Sequence, residues 1–232
     1  MTVITISRQF GSGGDEIAAR VCDMLKYKMF DKYLISHVAH EVGLSEPGTV
    51  DYTEQNHKVR SFLDRLFGRS SPVVTAYFWK ENADGETVLE EREVLEETAV
   101  PLVEKAIRSA AQVGNIVILG RGGQSVLRDA PGVVHIRIEA PLEERIQTFK
   151  QQIKAAKGEF YADIDARREA QDMITRRDEA SRDYLQEYYG VNWNDHSLYH
   201  LVLNTAMLTV EQAAQLIVSL VHIFEAQEQI LA

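Results

Sequence analysis

The chain has 232 residues, enough for one domain with a substantial buried core, and its 35 acidic and 25 basic residues leave a net charge of −10. That balance opposes non-specific attraction to nucleic acid or anionic membranes, so a bound anion has to be met by a local cluster of Arg, Lys and backbone N–H groups. The lone cysteine, Cys22, excludes an intrachain disulfide, and no run reaches the roughly 18 apolar residues of a membrane span; a cytoplasmic protein with neither nucleic-acid nor membrane partners is expected.

Thr2–Ser7 is a β-branched apolar run, the pattern of a strand buried on both faces, and a glycine cluster follows it at once. Ile17, Val21, Met24 and Leu25 then recur at helical spacing, and a second helix is expected over about 31–42, stopped by Gly43. Between 46 and 85 the pattern predicts a polar helix over about 52–67, then the apolar run Val73–Trp79 and the turn signal Asn82–Gly85, read as a hairpin or a flap.

A long helix over about 88–113 is expected to lead into the buried strand Asn115–Leu119, which ends in Gly120-Arg121-Gly122-Gly123. Val133–Ile138 forms a third strand. Pro141 opens a helix whose apolar stripe is Leu142, Ile146, Phe149 and Ile153. Another helix spans about 163–189, Leu201–Asn204 is a last short strand, and Thr209 caps a final helix carrying Val210, Ala213, Ile217 and Val221. Buried strands alternating with helices imply an α/β fold, a three-layer α/β/α sandwich around a parallel sheet. Ligands of such sheets sit beyond the carboxyl ends of the strands, where both glycine clusters fall.

Ser7-Arg8-Gln9-Phe10-Gly11-Ser12-Gly13-Gly14-Asp15 lies between a strand and a helix, where backbone N–H groups and a helix N-terminus together hold phosphate oxygens. The bland alternative is a tight turn without a ligand, but three glycines in four positions exceed what a bare turn needs. Set against G-x-x-x-x-G-K-[ST], Gly13 is the second glycine, Gly14 replaces the lysine and Asp15 the hydroxyl residue. Phosphoryl transfer still needs a cation near the transferred group, and Arg8, at the first-glycine position, is the nearest candidate.

Farther along, Ala166, Ala170, Met173, Arg177, Ala180, Tyr184 and Tyr188 follow at three- and four-residue spacing. Arg177 thus interrupts an inward stripe, and an inward arginine needs an anion: a bound phosphate, or an internal partner such as Asp178 or Glu187.

The order of elements resembles the nucleoside-monophosphate kinases, most closely their cytidylate-kinase-like branch. The likeness rests on the loop Ser7–Asp15, on Tyr27–Ile35, on Gly120-Arg121-Gly122, on Arg176-Arg177-Asp178 with Arg182, and on the closing strand and helix. It implies a single P-loop kinase-like domain over 1–232, an acceptor-binding or flap insertion at 46–100, mostly helical, and an arginine-bearing lid at 158–195. It further implies ATP and Mg²⁺ as cofactors and transfer of the γ-phosphoryl of ATP to a small phosphorylated acceptor such as a nucleoside monophosphate.

On that likeness Gly11, Ser12, Gly13, Gly14 and Asp15 hold the donor phosphates and Asp15 is the candidate metal ligand. Asp31 and Arg121 meet the acceptor, and Arg8, Arg177 and Arg182 carry catalysis. The chain departs from the cytidylate kinase pattern where the second cluster reads D-G-R-D, since Leu119 and Gly122 occupy the acidic positions. It also has Lys32 after Asp31 in place of a small hydroxyl residue. The competing expectation is a nucleotide-binding module or regulator that lost its chemistry with the lysine.

Overall fold

A computed structural model describes residues 2–30, 48–50, 73–81, 87–158 and 161–231. Five parallel strands form the main sheet in the order β2–β6–β1–β7–β8: β1 (Val3–Arg8), β2 (Lys28–Phe30), β6 (Ile116–Leu119), β7 (Val133–Glu139) and β8 (Leu201–Asn204). β1 is central, with Ile6 opposite Leu119 of β6 and Ile136 of β7, so the loops after these three strands open side by side at one end of the sheet.

Both faces of the sheet are covered, as the near-continuous apolar strands require. One face presents Ile4, Ile6, Val117, Val134, Ile136 and Ile138 to α1 (Gly14–Leu25) and the last helix. The other presents Val3, Ile116, Ile118 and Val133 to the helix over Glu96–Val113, here α2, and to Tyr184, Leu185 and Trp193. The short α3 is Gly123–Val126, α4 is Leu142–Lys157, α5 is Asp163–Tyr189 and α6 is Val210–Leu231. α4 and α5 pack on each other through Ile146, Ile153, Ala166, Ala170 and Ile174, and Phe10 and Phe149 extend that cluster toward the first glycine loop. No described helix is long and apolar enough to cross a membrane.

The helix predicted from about 88 begins only at Glu96, because Thr87–Leu95 is a strand, β5, paired antiparallel along its length with β4 (Val73–Glu81). β3 (Gly48–Val50) joins β4 to complete a second, three-stranded sheet, so the described part of the 46–100 insertion is strand up to Leu95, with α2 beginning at Glu96. The expected hairpin is present, while its turn and the helices predicted over 31–42 and 52–67 lie outside the described residues.

In α4, Leu142 is 42% exposed and Arg145 takes its place on the buried stripe with Ile146 and Ile153. In α5 the inward column is Ala166, Ala170, Ile174 and Asp178, whereas Met173 and Arg177 are half-buried at its edge. A repeat of four residues at 100° per residue advances only 40° per step, so it stays on the packed face.

Candidate active site

β1 runs directly into the first loop. Along a strand side chains alternate between faces, so Arg8 follows Ile4 and Ile6 onto the α1 side. There its stem lies over Gly14: a Cβ at Gly14 would stand 2.7 Å from the Cβ of Arg8 and 2.8 Å from its Cγ. The guanidinium Nε donates to Asp15 Oδ1 at 3.0 Å, and Asp15 is largely exposed. The arginine therefore occupies the space next to position 14, where the lysine would stem from in the usual motif.

The loop is pinned from beneath. Gly11 and Gly13 adopt φ of 82° and 73°, left-handed values that favour glycine. Ser12 Oγ donates back to Gln9 O at 2.8 Å and to Ile138 O at 3.3 Å, and Thr205, just past β8, donates to Ser12 O at 2.8 Å. Gln9 Oε1 accepts the amide of Ala140 at 3.1 Å. The first helical bond of α1 runs from Ile17 N to Gly13 O at 3.1 Å and no side chain caps the helix. The amides from Gly13 through Glu16 thus precede the intrahelical ladder and face the mouth of the loop, the donor set that an anion fits.

Arg121 comes to the same end of the sheet by a different turn. Gly120, Arg121 and Gly122 have φ of 72°, 58° and 70°, a left-handed turn closed by Gly123 N to Gly120 O at 3.1 Å and moored to β1 by Gly120 N to Ile6 O at 2.9 Å. A left-handed arginine costs on the order of 1 kcal/mol, and the buried surroundings of Arg121, 6% exposed, hold it there. Gly122 is closely covered, since a Cβ there would stand 2.7 Å from Tyr189 Cε2 at the end of α5.

From α5, Arg177 reaches the first loop by placing its guanidinium carbon 4.8 Å from the centre of the Phe10 ring. Burial lowers its pKa from the ordinary arginine value. Arg182 is exposed, and five residues of helix set it roughly 140° around the axis from Arg177. The structure brings Arg8, Gly11–Asp15 and Arg177 to one loop and Arg121 to the neighbouring one, and leaves Arg182 on the outside of α5. Asp31 lies outside the described residues.

Residues 3–207 match the model of the cytidylate kinase-like family. The chain belongs to that family. Among solved structures it resembles an uncharacterized protein from Eubacterium ventriosum, at 16% identity over 96% of this chain and 99% of that one, with a TM-score of 0.61. More distant are a gluconokinase from Sinorhizobium meliloti (9% identity, 97% of each chain, TM-score 0.47) and a shikimate kinase from Bacteroides thetaiotaomicron (12% identity, 95% of this chain and 98% of that one, TM-score 0.45). The first likeness is one of fold alone. No curated protein matches the chain significantly.

In this cytidylate kinase-like chain the sequence pattern passed over two buried arginines. Arg145, 5% exposed, donates to Asp178 Oδ2 at 2.6 Å, to Phe10 O at 3.0 Å and to Ala140 O at 3.0 Å. Asp178 is therefore turned to Arg145, and its other oxygen accepts the amide of Phe10 at 2.9 Å. Arg137 of β7 is fully buried, stacks 4.0 Å from the centre of the Trp193 ring and donates to Ser7 Oγ at 3.3 Å; Trp193 Nε1 donates to the same hydroxyl at 2.9 Å. The signal for both was a charged residue inside an otherwise apolar stripe or strand. Cys22, half-buried, has its thiol pushed up to about 11 by burial and then by Asp23, which suits packing rather than nucleophilic chemistry.

For a magnesium ion, Asp15 offers one exposed carboxylate whose Oδ1 already carries Arg8, and no cluster of three or more His, Cys, Asp or Glu fit for a metal occurs among the described residues. That donor set suits an ion held chiefly by nucleotide phosphates and water, with at most one protein oxygen.

Proposed function

We propose that the chain is a phosphotransferase that moves the γ-phosphoryl of ATP to a small phosphorylated acceptor, a nucleoside monophosphate. The observation that carries this reading is Arg8 lying over side-chain-free Gly14 at the mouth of a loop whose helix has no side-chain cap. In that arrangement the amides of Gly11 and Gly13–Asp15 cradle the donor phosphates, the Ser12 amide being tied to Gln9 O, and the Arg8 guanidinium supplies the charge that the absent lysine would bring. Its bond to Asp15 joins a mostly buried guanidinium to a largely exposed carboxylate, a partner that a phosphate oxygen would replace.

Arg121 is the acceptor-phosphate arginine, held in a strained turn one strand away from the donor loop. Arg177 meets the transferring group from the α5 side, next to Phe10. Arg182, on the outer face of the docked α5, takes no part in this reading, and Asp31 completes the acceptor side. Magnesium borne by the nucleotide would neutralise phosphate charge, with Asp15 as its one protein ligand.

The test is ADP release from MgATP across the nucleoside monophosphates. Turnover with at least one acceptor, reduced about a hundredfold or more by Arg121→Ala, is expected. Tight MgATP binding with background turnover for every acceptor overturns the transferase reading and leaves a nucleotide-binding module.

A further inference from the structure

Phe10 is the loop residue that α4 and α5 hold between them. Its N–H donates to Asp178 Oδ1 at 2.9 Å, and its C=O accepts from Arg145 Nη1 at 3.0 Å. The same Arg145 nitrogen donates to Asp178 Oδ2 at 2.6 Å, so one buried ion pair satisfies both polar groups of one peptide position. The Phe10 ring lies between Phe149 of α4, at 4.7 Å between centroids, and Arg177 of α5. Gly11 is pressed against α4 as well, since a Cβ there would stand 2.7 Å from Phe149 Cε2.

A buried guanidinium and carboxylate are costly to desolvate and are retained where they fix a geometry. Here each charge is spent on the loop backbone as well as on its partner. The Phe10 amide, turned inward to Asp178, is withdrawn from any phosphate, as is that of Ser12, bonded to Gln9 O, which leaves the mouth of the loop chiefly to the amides at the start of α1. Asp178 and Arg177 are consecutive, so docking the carboxylate beneath the loop also sets the arginine against the Phe10 ring.

We propose that Arg145 and Asp178 are positioning residues that set the phosphate-binding shape of the first loop and dock α5 onto it, so that loop shape and Arg177 placement form one coupled event. The proposal rests on the donor-phosphate reading of that loop.

It is tested on the full chain with Asp178→Asn and Arg145→Lys. The amide variant keeps the size of Asp178 but cannot offer two anionic oxygens, and the lysine keeps the charge but loses the planar fork. Amide exchange of the Phe10–Gly14 segment by NMR is the first readout, with β7 amides as the control for folding. MgATP affinity without acceptor is the second.

In Asp178→Asn, faster loop exchange and MgATP affinity weaker by about tenfold or more are expected with β7 protection retained, the size of effect that follows loss of a hydrogen bond to a charged group. Arg145→Lys should fall between wild type and Asp178→Asn. The third readout is coupling: Arg177→Ala should lower kcat strongly in the wild-type background and far less in Asp178→Asn.

Unchanged loop exchange with unchanged MgATP affinity overturns the proposal, as does an effect of Arg177→Ala that is the same in both backgrounds. If Asp178→Asn fails to fold, Arg145→Lys decides by the same two readouts. A wild type that binds MgATP without turnover ends the transferase reading alone, and exchange and affinity then decide this one. A wild type that does not bind MgATP ends both.

Discussion

Gly14 is where the first loop departs from the common motif, and its missing side chain is what admits Arg8. A methyl group there would meet the Arg8 stem at 2.7 Å and displace it. Gly14→Ala is therefore expected to fold, because alanine suits the first turn of a helix, yet to weaken MgATP binding about tenfold by moving the guanidinium; calorimetric titration checks this. His135 makes a different kind of claim. It lies in β7 against Thr5, whose Oγ1 is 2.7 Å from Nδ1, and is stacked on His200. Burial, and then the neighbouring His200, bring its pKa down to about 4 from 6.5. Because folding holds this imidazole neutral, the unfolded chain binds more protons between about pH 6.5 and 4, and stability falls as pH drops through that window. A His135→Gln variant should show a shallower fall in Tm between pH 6.5 and 4 than the parent, measured by thermal melts at matched ionic strength.

At the scale of elements, α6 shows how much a short motif decides. Thr209 Oγ1 accepts the amide of Gln212 at 3.2 Å while Gln212 Oε1 accepts the amide of Thr209 at 3.0 Å, a reciprocal cap at the start of the helix. Thr209→Ala should lower stability by about 1 kcal/mol, read from denaturant unfolding, with nucleotide affinity unchanged. The cap was legible because it is local, and so were four of the five parallel strands, each written as an apolar run; β2, only the three residues Lys28–Phe30, carries no such run and was not legible. β5 was not legible. Val88, Leu89 and Leu95 fit helix and strand alike, and the partner that makes Thr87–Leu95 a strand is β4, a separate segment. The glycine loops were read from composition, but the brace beneath the first one joins residues 10, 145 and 178, and no spacing rule connects them. Of the anions that the stripe suggested for Arg177, Asp178 is turned to Arg145, and the guanidinium stands over the Phe10 ring.

Across the whole molecule, a net charge of −10 sits uneasily with the polyphosphate site proposed above. The fold resolves this by gathering Arg8, Arg121 and Arg177 at the carboxyl end of the sheet, where the short range of screened charge lets a local cluster outweigh distant carboxylates. A ligand bound there stabilises the native state by RT ln(1 + [L]/Kd), about 2.7 kcal/mol at one hundred times Kd. Tm should accordingly climb with the logarithm of MgATP concentration, and at a fixed concentration the rise should be smaller for Arg8→Ala than for the wild type; differential scanning calorimetry checks both.

The contact of Tyr189 with Gly122 lends α5 a further meaning. The helix touches the first glycine loop through Asp178 and the second through Tyr189. Those two residues are eleven positions apart, a rise of about 17 Å along a rigid rod. The pairing of β1 with β6 already sets the two loops side by side, so α5 is a gauge block whose length in residues has to match a spacing that the sheet fixes. A deletion of one residue between 178 and 189 would shorten the gauge by about 1.5 Å and turn Tyr189 about 100° away from its glycine.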